Sequence, residues 1–221
     1  MRHGLISSAV TLAVLAAACT TTTQPGAPLA AGLTCEASQL EMRLIFVGFA
    51  TGNVEGIVDI RNKSTHDCVL SGYPGLQLLD AARRPLPTLA SDTTTSFFQS
   101  SPVSAVVVTL SAGSGPINPN GPTAGHAYID MSWSDGSPPC EQPSSFAITP
   151  PAASRSIEVS AIPPIPGTPA PYICGGGAVA VLPIQRPKGM SYAQVATDCR
   201  AGGLCDGGAV YVNLTEPAEA D

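Results

Sequence analysis

From residue 35 onward, apolar and polar positions alternate with a period of two over short runs, the mark of strands with one buried face. Leu40, Met42, Leu44 and Phe46 fall on one side of the first run, with Glu41 and Arg43 opposite. Val58 and Ile60 alternate with Asp59 and Arg61 in the next. Cys68-Val69-Leu70 leads into the turn signal Gly72-Tyr73-Pro74-Gly75, and Leu76 to Leu79 resumes extended structure. After a Pro- and Ser-rich stretch, the β-branched, apolar run Ala105 to Leu110 predicts a strand, and Ser111 to Gly125, dense in Gly, Pro and Asn, predicts a loop. The clearest alternation sets Ala127, Ile129, Met131 and Trp133 against His126, Tyr128, Asp130 and Ser132. Phe146-Ala147-Ile148 and Ile157-Glu158-Val159 predict two more short strands. Pro163-Pro164 and Pro166 then impose a loop, and Ala178 to Ile184 reads as a last core strand. No stretch reads as a βαβ unit. The pattern predicts an all-β chain folded as a two-sheet sandwich.

The N-terminus follows a different pattern. Arg2 precedes an apolar run from Leu5 to Ala18, broken only by Ser7, Ser8 and Thr11, and closing on Ala16-Ala17-Ala18-Cys19. This is the layout of a secretory signal over residues 1–18. Fourteen residues of helix span about 21 Å, short of the ~30 Å hydrocarbon core, so a permanent membrane helix is disfavoured. Leu15-Ala16-Ala17-Ala18-Cys19 resembles the lipobox of bacterial lipoproteins, although Ala16 stands where that motif usually has Leu. The resemblance implies acylation of Cys19 and residence on a membrane surface, at the periplasm or the cell exterior. Cleavage without a lipid would instead give a free secreted protein. Residues 19–32, rich in Thr, Pro, Gly and Ala without charge, read as a flexible tether.

Composition adds two constraints. Gly and Pro each contribute 22 of 221 residues, so turns are many and long amphipathic helices few. The net charge is −6, which gives no footprint for nucleic acid and no polybasic patch for anionic lipid. Seven cysteines are an odd number for an exported chain. Setting Cys19 aside leaves Cys35, Cys68, Cys140, Cys174, Cys199 and Cys205, three disulfides with fifteen possible connectivities, of which nearest-neighbour pairing is favoured here.

Arg61-Asn62-Lys63-Ser64, followed by Cys68-Val69-Leu70-Ser71-Gly72-Tyr73-Pro74-Gly75-Leu76-Gln77-Leu78-Leu79-Asp80, resembles the core signature of the domain of unknown function 4232 family of bacterial secreted proteins and lipoproteins. Cys35, the stretch from Gly121 to Trp133 and Val181-Leu182-Pro183 fit the same pattern, so the resemblance covers residues 33–185. It implies an immunoglobulin-like antiparallel sandwich and supports Cys35–Cys68 and Cys140–Cys174 pairs. It implies no activity. Residues 186–221, with Cys199, Cys205 and a possible strand at Val210 to Leu214, form a C-terminal extension outside it.

Chemistry is sparse. After the signal only His66 and His126 remain, with no Gly-x-Ser-x-Gly, His-Glu-x-x-His or Walker-type element, so the chain leans away from catalysis and implies no metal or cofactor. His126 and Tyr128, two apart on one strand face, are close enough to act on one ligand, although a solvated sheet face is the favoured reading of that pair. Tyr73 reads as a core-edge aromatic or as an interface anchor. Phe97-Phe98, in a polar Ser/Thr stretch, are the better candidates for an exposed contact. The favoured expectation is a non-catalytic cell-envelope module that binds an envelope protein or a cell-wall glycan, with its recognition loops at Asp92 to Ser101 and Ser111 to Gly125. A small-ligand or hydrolytic site on the His126/Tyr128 face, with His66 brought alongside, and a purely structural spacer are the alternatives.

Overall fold

The computed structural model describes residues 33–118, 123, 125–162 and 170–186, all within one compact unit, Gly32–Asp221. The signal, Cys19, the tether, Cys199, Cys205 and nearly all of the C-terminal extension lie outside the described residues.

The described residues form ten strands: β1 (Leu40–Ala50), β2 (Asn53–Asn62), β3 (Cys68–Leu70), β4 (Gly75–Leu79), β5 (Leu89–Asp92), β6 (Val108–Leu110), β7 (Ala127–Ser134), β8 (Ser145–Thr149), β9 (Ile157–Ser160) and β10 (Ala178–Val181). They pair into a five-stranded sheet ordered β1-β2-β7-β10-β5, a three-stranded sheet β4-β8-β9 and the pair β3-β6. One apolar core draws side chains from every strand except β5, among them Leu44, Val58, Ile60, Leu70, Leu78, Leu110, Ile129, Phe146 and Val181. The chain is an all-β sandwich, as the alternation predicts.

Local chemistry explains the joints. β1 and β2 are joined by Thr51-Gly52, both at positive φ (48° and 77°), the two-residue hairpin turn whose twist matches its strands. Among the described residues two disulfides staple the sandwich. Cys35–Cys68 holds the leading segment on β3, where Cys35 N also donates to Val69 O at 3.0 Å. Cys140–Cys174 joins two segments that already exchange backbone hydrogen bonds through Glu141 and Ile173. Each closes a loop of about 33 residues, worth roughly 3–4 kcal/mol in the chain-entropy model.

Four expectations are corrected. The alternation in β1 breaks at a bulge between Leu44 and Phe46, so Val47 joins the main core while Ile45 turns to the opposite face. The strand expected from Ala105 pairs only at Val108–Leu110, because its partner β3 offers three residues; Val106 and Val107 are exposed. Strand β5 forms in the Pro- and Ser-rich stretch, where the alternation predicts no strand. It also pairs parallel to β10, so the sheet is not purely antiparallel. Gly177, at φ 82°, makes that docking possible: a Cβ there would stand 2.0 Å from Pro87 O.

Candidate functional site

The alternation of β2 and β7 gives the five-stranded sheet a second, outer face. Val54, Val58, Ile60, Ala127, Ile129, Met131 and Trp133 point into the core, which leaves Glu55, Ile57, Asp59, Tyr128, Asp130 and Ser132 on the other side. These outward groups are not solvated. Asp59 is 0 % exposed, His126 1 %, Asp130 2 %, Tyr128 3 % and Glu55 5 %. The expectation of a solvated face is therefore corrected. Segment 111–118 folds back over this face, inserting Ile117 between Ile45, Ile57 and Tyr128. Residues 182–185 continue alongside β7 through Leu182 and Gln185, and the Gln185 side chain reaches Tyr128 on this face.

Polar atoms buried in this way require partners. His126 Nδ1 shares a proton with Asp59 Oδ1 at 2.8 Å, and His126 Nε2 donates to Gly115 O at 3.0 Å. Tyr128 Oη donates to Gln185 Oε1 at 2.7 Å. Burial pushes the Asp59 carboxyl up, and the neighbouring His126 pulls it back down. Burial also raises the Tyr128 phenol above its ordinary value, helped by Asp130 and Glu55. Next along the face, Glu55 and Asp130 are hydrogen-bonded to each other, diagonal neighbours across the pairs Glu55↔Ser132 and Ile57↔Asp130. Burial first, and then the Asp130 charge, pushes Glu55 up to about 9; burial raises Asp130 to about 7. At neutral pH Glu55 is thus a neutral acid donating to its neighbour.

The polar face ends in an open groove. Ser132, Ala180 and Ser91 stand side by side across β7, β10 and β5, in the same cross-strand row as Glu55. Asn53 and Ser134 form the adjoining row. With Thr95, Ser96 and Phe97 as a wall, these residues enclose about 450 Å³. The wall belongs to a hairpin-like loop closed by Val103 N donating to Thr94 O and, at its tip, Ser96 N donating to Gln99 O, both at 2.8 Å. Phe97 is 52 % exposed at that tip and meets Phe98 edge to face at 5.2 Å.

Other candidates from the sequence fall elsewhere. His66 is exposed and contacts Thr65, and no contact joins it to His126 or Tyr128 among the described residues. Tyr73 is half-buried after Gly72, whose φ of 99° requires glycine and whose carbonyl accepts from Ile184 N at 2.9 Å. Asn62 is fully buried: its Nδ2 donates to His66 O and Leu110 O, and its Oδ1 accepts from Ser64 N and Oγ. The Asn62-Lys63-Ser64 stretch is therefore a turn-building motif with no free amide. Segment 111–118 is pinned by Asn62 N to Ser114 Oγ, Ala112 N to Asp67 Oδ1 and Arg61 to the carbonyls of Ser114 and Gly115. Among the described residues, no three His, Cys, Asp or Glu side chains are grouped to hold a metal ion. Sequence reasoning missed Asp59, Glu55, Gln185 and the hydroxyls of the groove floor; for Glu55, Asp59 and Ser132 the signal was the polar half of the β2 and β7 alternation.

These features define a disulfide-stapled β-sandwich domain with one polar, buried sheet face opening into a groove. The chain belongs to the family of the domain of unknown function DUF4232, whose model matches residues 35–185. No curated protein and no solved structure matches the chain.

Proposed function

We propose that this chain is an exported lipoprotein, held on a membrane surface through a lipid on Cys19, and that its domain is a non-catalytic binding module of the cell envelope. Export is supported by the signal-like residues 1–18 and by two disulfides in the domain, which persist in an oxidising compartment. The observation that carries the binding reading is the exposed Phe97 at the tip of loop 94–103, beside the groove. An exposed aromatic ring next to a concave polar surface is how rigid scaffolds present a contact. Segment 111–118, tied to β2, is a frame for the sheet face and not the recognition loop. The ionisable groups in unusual states, Glu55, Asp59 and Asp130, are buried against their neighbours, which favours binding over catalysis.

Photo-crosslinking in intact cells tests this reading. A probe at Phe97 is expected to give a discrete adduct, and a probe at Gly113 on the pinned segment none; equal yields, or no adduct at Phe97, would sink it. Cys19→Ala is expected to abolish incorporation of labelled fatty acid and release the protein from membranes. Retention of the label would refute the anchor.

A further inference from the structure

The lining of the groove specifies a ligand chemistry, and this inference rests on the binding-module reading above. None of the residues around it is charged: the floor is Asn53, Ser91, Ser132, Ser134 and the small Ala180, and the wall is Thr95, Ser96 and Phe97. Glu55 lies directly across from the floor residue Ser132, and burial keeps it neutral at ordinary pH. A phosphate, nucleotide or carboxylate ligand would find no cation among the lining residues, and a cationic one no anion among them.

The hydroxyls are also preset. Ser96 Oγ accepts from Gln99 N at 2.9 Å and Ser134 Oγ from Gly136 N at 3.3 Å, so each hydroxyl keeps its proton to donate outward. The hydroxyls of Ser132 and Thr95 make no hydrogen bond among the described residues, and Ser132 is only 7 % exposed. Small Ala178 and Ala180 side chains leave the floor low, so a flat ligand can reach these groups. The volume lies within the ~300–1,000 Å³ of small-ligand sites. Phe97 supplies an apolar ring face at the rim. A ligand matched to this surface is uncharged, carries many hydroxyls or amides at its edges, and has flat C–H faces. We infer that the groove binds a short stretch of an uncharged saccharide chain, with Phe97 stacked on a sugar ring and the hydroxyls of Ser96, Ser132 and Ser134 meeting its edge. A peptide strand added to β5 would use main-chain groups at the sheet edge, whereas these hydroxyls stand on the face inside that edge.

Saturation-transfer NMR on the purified full chain tests this with three probes: N-acetylated chitotetraose, an anionic tetragalacturonate and tetra-alanine. The inference expects transfer to ring protons of the chitotetraose, none to the other two, and amide shifts confined to Ser91, Phe97, Ser132 and Ala180. Phe97→Ala is expected to weaken binding about tenfold, the scale of losing a central aromatic contact. Ser132→Ala, which disturbs no hydrogen bond of the fold, should weaken it severalfold and serves as the second variant. No transfer to the neutral saccharide, preference for the anionic or peptide probe, or binding that survives both variants would each overturn the inference. A protein adduct at Phe97 in cells, with no saccharide binding in solution, would keep the binding module and remove the sugar.

Discussion

On the inner face of the five-stranded sheet, Val54, Val58, Ile60, Ile129 and Met131 leave water to pack in an apolar core. On the outer face, Glu55, Asp59, Tyr128 and Asp130 leave water almost as completely, against one another and against segment 111–118. The two faces share the same strands and nearly the same burial, yet they are held by different physics. The inner face gains from transfer and dispersion, so losing a side chain costs in proportion to the atoms removed. The outer face holds groups that are costly to bury alone and tolerable only as pairs, so losing one partner exposes the full desolvation cost of the other. A buried polar face is expensive to build. In this domain it carries the frame that leads to the groove.

The sharpest test of that contrast is His126→Ala, which strips Asp59 of its partner at 0 % exposure and is expected to cost about 3–5 kcal/mol by urea unfolding. Ile129→Ala on the inner face should fall in the ~2–5 kcal/mol range of a core truncation. Adding Asp59→Asn to His126→Ala should recover part of the loss, because it removes the stranded buried charge; no recovery would show that the pair is ordinary packing.

The next effect depends on pH. Glu55 titrates near 9 and Asp130 near 7 in the fold, against ordinary values of 4.5 and 3.8. The folded state therefore binds more protons than the unfolded chain over this window. Stability is greatest below about pH 4 with respect to these groups, and it falls as pH rises through 7 toward 9. Glu55→Gln should flatten that decline in the urea midpoint measured from pH 5 to 9. An unchanged slope would remove Glu55 as its cause.

The smallest effect is Tyr128→Phe, which leaves Gln185 Oε1 without its donor in a residue 5 % exposed and should cost about 1–2 kcal/mol. A neutral outcome would mean that water replaces the hydroxyl, and that the outer face is more open than the inner one.

The inner face was legible because alternation is a one-dimensional signal: burial of Val58, Ile60, Ile129 and Met131 follows from their spacing. The same spacing marked Asp59, Tyr128 and Asp130 as the opposite face, but it carried no information about what covers that face. The β1 bulge was hidden because Leu44-Ile45-Phe46 is apolar on every side of the break. Strand β5 was hidden because Leu89-Ala90-Ser91-Asp92 is short and has no buried residue, and its docking depends on a glycine 85 residues later in the chain, at 177. Of the groove, only Phe97 announced itself, as an aromatic in a Ser/Thr run.

By itself the sequence determined the fold class and the membership signalled by Cys68 to Asp80, because strand periodicity and turn residues act over short stretches of chain; among fifteen disulfide connectivities it only favoured the two pairs that the fold forms. Tertiary structure alone decided that His126 meets Asp59, that Glu55 shares a proton with Asp130, and that Ser91, Ser132 and Phe97 border one groove. Those meetings join strands far apart in the chain, and their register is fixed by the whole core and by no local pattern.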